Sequence, residues 1–167
     1  MLSKVVCKLI RHPLARVQFP DAEKMKYFAR LIHQCEPKVD DVIGFMDGLL
    51  LISECTSKIL EQNNALYSGY HSGTMVNNII AYGLDGKVFL CAINFPGSWY
   101  YGSITANILL YICKMIGSYK ICVDQGFPRS QDTALILVGP ISDRQAVHLA
   151  ANLQPYLIKI SNINVSL

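Results

Sequence analysis

"IGFMDGLLLI", residues 43–52, sets one carboxylate, Asp47, inside a run of apolar residues. Ile43, Phe45, Leu49, Leu50, Leu51 and Ile52 read as a strand within a core. An unpaired charge is expensive there, so Asp47 is expected to be paired, protonated or bound to a metal ion. A second stretch, "YKICVDQGF" (119–127), repeats the pattern: a short apolar strand that ends on an acid, Asp124.

Between the two acids lie a hairpin and a helix. "TMVNNIIAYGL" and "KVFLCAINF" flank Asp85-Gly86, a pair that suits a tight type I′ turn. "PGS" then punctuates the chain, and "SITANILLYICKMIG" reads as a helix with Ser103 as cap and Gly117 as terminator. Strand, hairpin, helix, strand is the order of an α/β mixed sheet that starts antiparallel and continues through a helical crossover to a parallel strand. It is the order of the ribonuclease-H-like fold with flanking helices. Strands 43–52 and 119–124 are then expected to pair in parallel, with the hairpin 74–95 on the far side of the first. Two carboxylates meeting on neighbouring strands repel each other unless a divalent cation lies between them. Hard oxygen ligands of this kind suit Mg²⁺ or Mn²⁺.

Outward from this centre, "PDAEKMKYFARLIHQCEP" (20–37) predicts a helix capped by Asp21 and ended by Pro37. Residues 1–40 form a helical lead-in, and 41–167 the main domain, expected to be incomplete at its C-terminal end. Residues 53–72 read as a polar loop with one short amphipathic piece. "PRSQDT" reads as a loop, "ALILVGPIS" as a further strand, and the stretch from Asp143 to Pro155 as helical.

Composition limits the function classes. The chain has 167 residues, is 51% hydrophobic and 16% charged, and so is not of the disordered class. A net charge of +3 is too weak a bias to argue nucleic-acid binding by itself. Seven of the fifteen lysines and arginines fall between Lys4 and Arg30. The six cysteines form no CxxC pair and no zinc-like cluster, which predicts buried, reduced thiols in an intracellular protein. No signal peptide or membrane-spanning run is apparent.

"IGFMDGLLLIS", "YSGYHSG", "GLDGKVFLCAINFPGSW" and "CVDQGFPRS", in this order and spacing, resemble the catalytic domain of Harbinger-type transposases, in the DDE endonuclease superfamily. The upstream stretch "PDAEKMKYFARLIHQCEPKVDDVIGF" is similar to the segment that precedes that domain. The resemblance spans roughly residues 18–145. It implies that Asp47, in the "DG" strand, and Asp124, in "DxGFP", are catalytic carboxylates and metal ligands. It also implies a Mg²⁺ or Mn²⁺ cofactor, DNA as substrate, a separate DNA-binding partner protein, and a nuclear location.

The departures from the family pattern carry equal weight. "PGSWYYGS" sets Tyr100 and Tyr101 where the family has His and Asp, and a neutral phenol is a poor Mg²⁺ ligand. His71 stands where a Lys is usual. No Glu follows Glu61, whereas the family's third carboxylate is a Glu on a C-terminal helix, expected about where "NINVSL" stands. Two functions therefore compete. One is a DDE-type endonuclease that hydrolyses phosphodiester bonds in DNA. The other is a truncated, inactive transposase remnant that keeps the fold and weak metal or DNA binding. The remaining acids read as structural: Asp85 in its turn, Asp40 and Asp41 in solvent, Asp132 and Asp143 in loops. Trp99, Tyr100 and Tyr101 read as packing beside a Pro-Gly turn.

Overall fold

A computed structural model describes residues 12, 15–53, 64–127 and 131–140. In chain order the elements are α1 (Ala22–Cys35), β1 (Val42–Ile52), β2 (Tyr67–Ser68), β3 (Gly73–Gly83), β4 (Val88–Pro96), α2 (Tyr101–Ile116), β5 (Lys120–Val123), α3 (Gln131–Ala134) and β6 (Leu137–Val138). The architecture is α/β, a mixed sheet with flanking helices. The main path runs β2-β3-β1-β5-β6, and β4 pairs with β3.

The sheet pairs as expected. β1 is antiparallel to β3 and parallel to β5, and β5 is parallel to β6. The hairpin β3–β4 lies on the far side of β1 from β5. The α2 crossover makes the parallel pairing possible, because a parallel neighbour cannot be reached by a tight turn.

The helices start and stop for identifiable reasons. Asp21 accepts the Lys24 amide (2.9 Å), as its sequence position predicts, and the helix ends at Cys35, two residues before Pro37. Helix α2 departs from expectation. It begins at Tyr101, two residues before Ser103, and its N-cap, Tyr100, makes no side-chain cap. Its C-terminal glycine is as expected: Gly117 has φ +60° and its amide donates to the Cys113 carbonyl (3.0 Å).

The hairpin turn is also a correction. Leu84 and Asp85 form the turn centre, and neither has a positive φ. The Gly86 amide donates to the Gly83 carbonyl, and the Gly83 amide to the Lys87 carbonyl (both 3.0 Å). Gly86 alone takes the left-handed conformation, φ +73°. This is a three-residue loop with one left-handed glycine, in place of the two-residue type I′ turn.

The core lies on one sheet face. Met46, Ile79, Ala81 and Phe89 join Phe19, Phe28 and Ala29 from the N-terminal side and Ile104, Ile112 and Ile116 from α2. Phe19 ties the segment before α1 to β4 and α2, with ring contacts to Phe89 (5.3 Å) and Tyr111 (5.7 Å). The opposite face of β1 presents Phe45, Asp47, Leu49 and Leu51, and all four are exposed.

The expected buried thiols are not found among the described residues. Cys35 and Cys91 are exposed, and Cys113 and Cys122 half-buried. Alternation explains Cys91, which projects from β4 between buried Leu90 and half-buried Ala92. Cys7, Cys55 and the helix expected over 143–155 lie outside the described residues. The strand expected in "ALILVGPIS" is confined to Leu137–Val138. Within the 53–72 loop, β2 adds a short pairing to β3.

Candidate functional site

Asp47 and Asp124 come together through strand register. The parallel ladder of β1 and β5 pairs Phe45 with Cys122 and Met46 with Val123. Asp47 is the next residue of β1, and Asp124 is the first residue after β5, which ends at Val123. The two backbones therefore run side by side just before the acids, at the roughly 4.8 Å spacing of neighbouring strands. On its other side Asp47 pairs with Ile80 of β3.

Both acids are exposed, which corrects the expectation that Asp47 is a buried charge. The reason is again alternation: Val42, Gly44 and Met46 take the buried face, and Asp47 falls on the other. Each carboxylate is held by one backbone amide. Asp47 Oδ1 accepts from Gly48 (2.7 Å), and Asp124 Oδ1 accepts from Gly126 (3.0 Å). Among the described residues no Lys, Arg or His forms an ion pair with either acid. The site is therefore an uncompensated pair of carboxylates, each with one backbone-anchored oxygen and a second oxygen available to a ligand.

Tyr101 packs against β1 next to Asp47, on the face that Met46 and Gly48 share. Its ring lies against Gly48 so closely that a Cβ at that position would come within 2.1 Å of Tyr101 Cζ and 2.3 Å of the hydroxyl. The ring stacks on Phe127, with centroids 5.2 Å apart and planes 14° from parallel. Phe127 is fully buried and fixes that ring from behind. Burial first, then the negative charges of Asp47 and Asp124, push the Tyr101 phenol above its usual range. Both acids thus act on the same hydroxyl group.

A second set of residues positions Tyr101. Asn77, buried in β3, donates its side-chain amide to the Trp99 carbonyl (2.7 Å) and lies 3.4 Å from the Pro96 and Gly97 carbonyls. It clamps the turn from which α2 starts. Asn78 donates to the Leu49 carbonyl (3.1 Å) and accepts the amide of Asn94 (3.0 Å), whose φ is +66°. These asparagines escaped the sequence reading. The signal was present, since "NN" interrupts an otherwise apolar strand, the same anomaly that marks Asp47.

The other residues considered fall elsewhere. Asp85 receives the Lys24 ammonium (2.6 Å) and the Lys87 amide (3.2 Å), and serves the hairpin turn. Trp99 packs on Phe95 (5.9 Å), and Tyr100 is exposed. His71 makes an edge contact with Tyr70 (4.8 Å). Asp143 lies outside the described residues, as does the side chain of Asp132. No group of three or more His, Cys, Asp or Glu side chains suited to a metal occurs among the described residues. No helix among them is long and apolar enough to cross a membrane.

No family model matches the chain, and neither a curated protein nor a solved structure matches it.

Proposed function

We propose that the chain is a transposase-derived DDE-type endonuclease domain of ribonuclease-H-like fold, with Asp47 and Asp124 as the carboxylates that bind a divalent cation, Mg²⁺ or Mn²⁺. The observation that carries this reading is the register of β1 against β5, which pairs Met46 with Val123, the residues just before the two acids, with no ion-pair partner for either acid among the described residues. The strand order supports the fold assignment: an antiparallel β1, β3, β4 unit, then a helix, then β5 beside β1 and β6 beyond it.

The donor set fits one hard cation. Two carboxylates offer oxygens at the spacing of neighbouring strands, and Mg²⁺ or Mn²⁺ commonly keeps several waters beside one or two carboxylates. Bound there, the cation would polarise a phosphate oxygen and lower the pKa of a coordinated water. The chain's own contribution is positional. The Gly48 and Gly126 amides fix one oxygen of each acid. DNA as substrate, a separate DNA-binding partner protein and a nuclear location belong to this proposal through the resemblance.

One observation favours the second reading, an inactive remnant that binds metal. Cutting a phosphodiester through two ions needs oxygen ligands on both flanks of the site. Here Tyr101 stands where the family has an Asp, and a neutral phenol is a poor Mg²⁺ ligand. Cation binding without strand cutting is the behaviour expected of this 167-residue chain. A plasmid-nicking assay in Mn²⁺ decides between the two. Nicking that disappears in Asp124→Ala would establish the endonuclease and remove the inactive reading.

A further inference from the structure

We infer that the outer face of the sheet is the docking surface for the chain's own C-terminal stretch, residues 143–160, which lays an apolar stripe across β1. The inference goes beyond the cation reading and does not depend on it.

The face is open and apolar. Both long helices pack on the other side, where Phe28 of α1 and Ile104 and Ile112 of α2 join the core with Met46, Ile79 and Ala81. On the outer side Phe45, Leu49 and Leu51 are 36%, 43% and 51% exposed. Tyr82, opposite Phe45 on β3, extends the patch, with ring centroids 5.9 Å apart. Ile80, opposite Asp47, and Cys122, opposite Phe45 on β5, continue it and are half-buried. Among these residues Asp47 carries the only charge. A contiguous apolar face of this kind marks a contact surface.

Position, pattern and charge select the occupant. β6 is the outermost described strand on the β5 side, parallel to β5 and β1, and the described chain leaves the sheet just beyond it, at Pro140. Residues 141–167 lie outside the described residues. From β6 to β1 is two strand spacings, roughly 10 Å, which about three residues of extended chain can span. Ala146, Leu149, Ala150 and Leu153 recur at helical spacing, a stripe that needs an apolar surface to bury it. After Asp143 the formal charges are Arg144 and Lys159, opposite in sign to Asp47. The N-terminal stretch approaches the other face, because the chain enters through Phe19, which packs on Phe89 and Tyr111.

Photo-crosslinking of the full chain tests the inference. p-Benzoylphenylalanine replaces Leu49, and mass spectrometry reads the crosslinked peptide. The expected product is an intrachain crosslink to residues 144–160. Leu149→Asp combined with Leu153→Asp abolishes it and raises binding of anilinonaphthalene sulfonate several-fold, because the face is uncovered. His148→Asp, on the opposite side of the helical repeat, leaves both readouts unchanged. If circular dichroism shows that the double variant does not fold, the crosslink map of the otherwise unchanged chain decides alone. A crosslink between two chains assigns the face to a second copy and overturns the inference. So does a crosslink to another stretch of the same chain, the absence of any crosslink, or a crosslink to 144–160 that persists in the folded double variant.

Discussion

Gly48 and Tyr101 are matched. The ring of Tyr101 lies where a side chain at position 48 would stand, with its Cζ atom 2.1 Å from an idealised Cβ. The "DG" pair therefore serves both faces of β1: Asp47 projects from one, and Gly48 admits the ring of Tyr101 on the other. Gly48→Ala should destabilise the fold by about 1–3 kcal/mol through overpacking. In the Tyr101→Ala background the same change should cost far less. Urea denaturation of the four proteins of this cycle gives the coupling, and a coupling of about 0.5 kcal/mol or less would mean the two residues act independently.

Asn77 predicts a different kind of loss. Its amide holds the carbonyl of Trp99 in a buried setting, immediately before α2. Asn77→Leu should cost about 1–3 kcal/mol, because a buried carbonyl loses its donor. Asn77→Asp should cost more, since it turns an acceptor and a charge toward that carbonyl. Chemical denaturation ranks the two. Equal or reversed losses would show that Asn77 contributes volume alone.

Much of this was legible in residues 43–52 and 119–127, and the reason is local. Alternation and β-branched residues mark the strands, a helix-length crossover forces the parallel pairing, and Asp21 and Gly117 carry their cap chemistry in their own side chains or lack of one. What was not legible depends on distant contacts. Apolar Leu49 and Leu51 gave β1 a core-like appearance, yet they are 43% and 51% exposed, because composition cannot say which sheet face a helix covers. The start of α2 was misplaced at Ser103, since the backbone path from the Asn77-clamped turn outweighs the hydroxyl's capping preference. The fit of Tyr101 on Gly48 joins residues far apart in sequence, and no periodicity reports it.

The Lys24–Asp85 pair gives a pH dependence of known sign. Burial raises the Asp85 carboxyl, but hydrogen bonds from Lys24 and the Lys87 amide, with the charges of both lysines, outweigh it and hold the group below its usual value. A depressed carboxyl stabilises the fold above the unfolded value and loses that contribution as pH falls through the folded one. The pair is about one-third exposed, so the effect should be at most about 0.5–1 kcal/mol. Lys24→Gln should show this loss at neutral pH and none at about pH 2, where Asp85 is protonated in both states. A loss that persists in acid would assign Lys24 a packing role over Phe28 instead.

Tyr101 gives the opposite limb. Its phenol is raised by burial and then by Asp47 and Asp124, so it stabilises the fold below the ordinary tyrosine value and loses that contribution as pH rises through the raised one. Asp47→Asn should bring the Tyr101 titration, followed by phenolate absorbance, back toward the ordinary range. Because Asp47 is exposed, the same variant should leave the melting temperature of the metal-free protein unchanged or slightly higher, by relief of like-charge repulsion. A substantial drop in melting temperature would make Asp47 a structural hydrogen-bonding residue.

Shared cation binding by Asp47 and Asp124 is tested most directly by calorimetric titration of Mn²⁺ into the wild-type chain, Asp47→Asn and Asp124→Asn. The account predicts weak binding of one ion by the wild type and loss of binding in each variant, since each acid supplies half of the protein ligands. Mn²⁺ binding that survives unchanged in Asp124→Asn would contradict it.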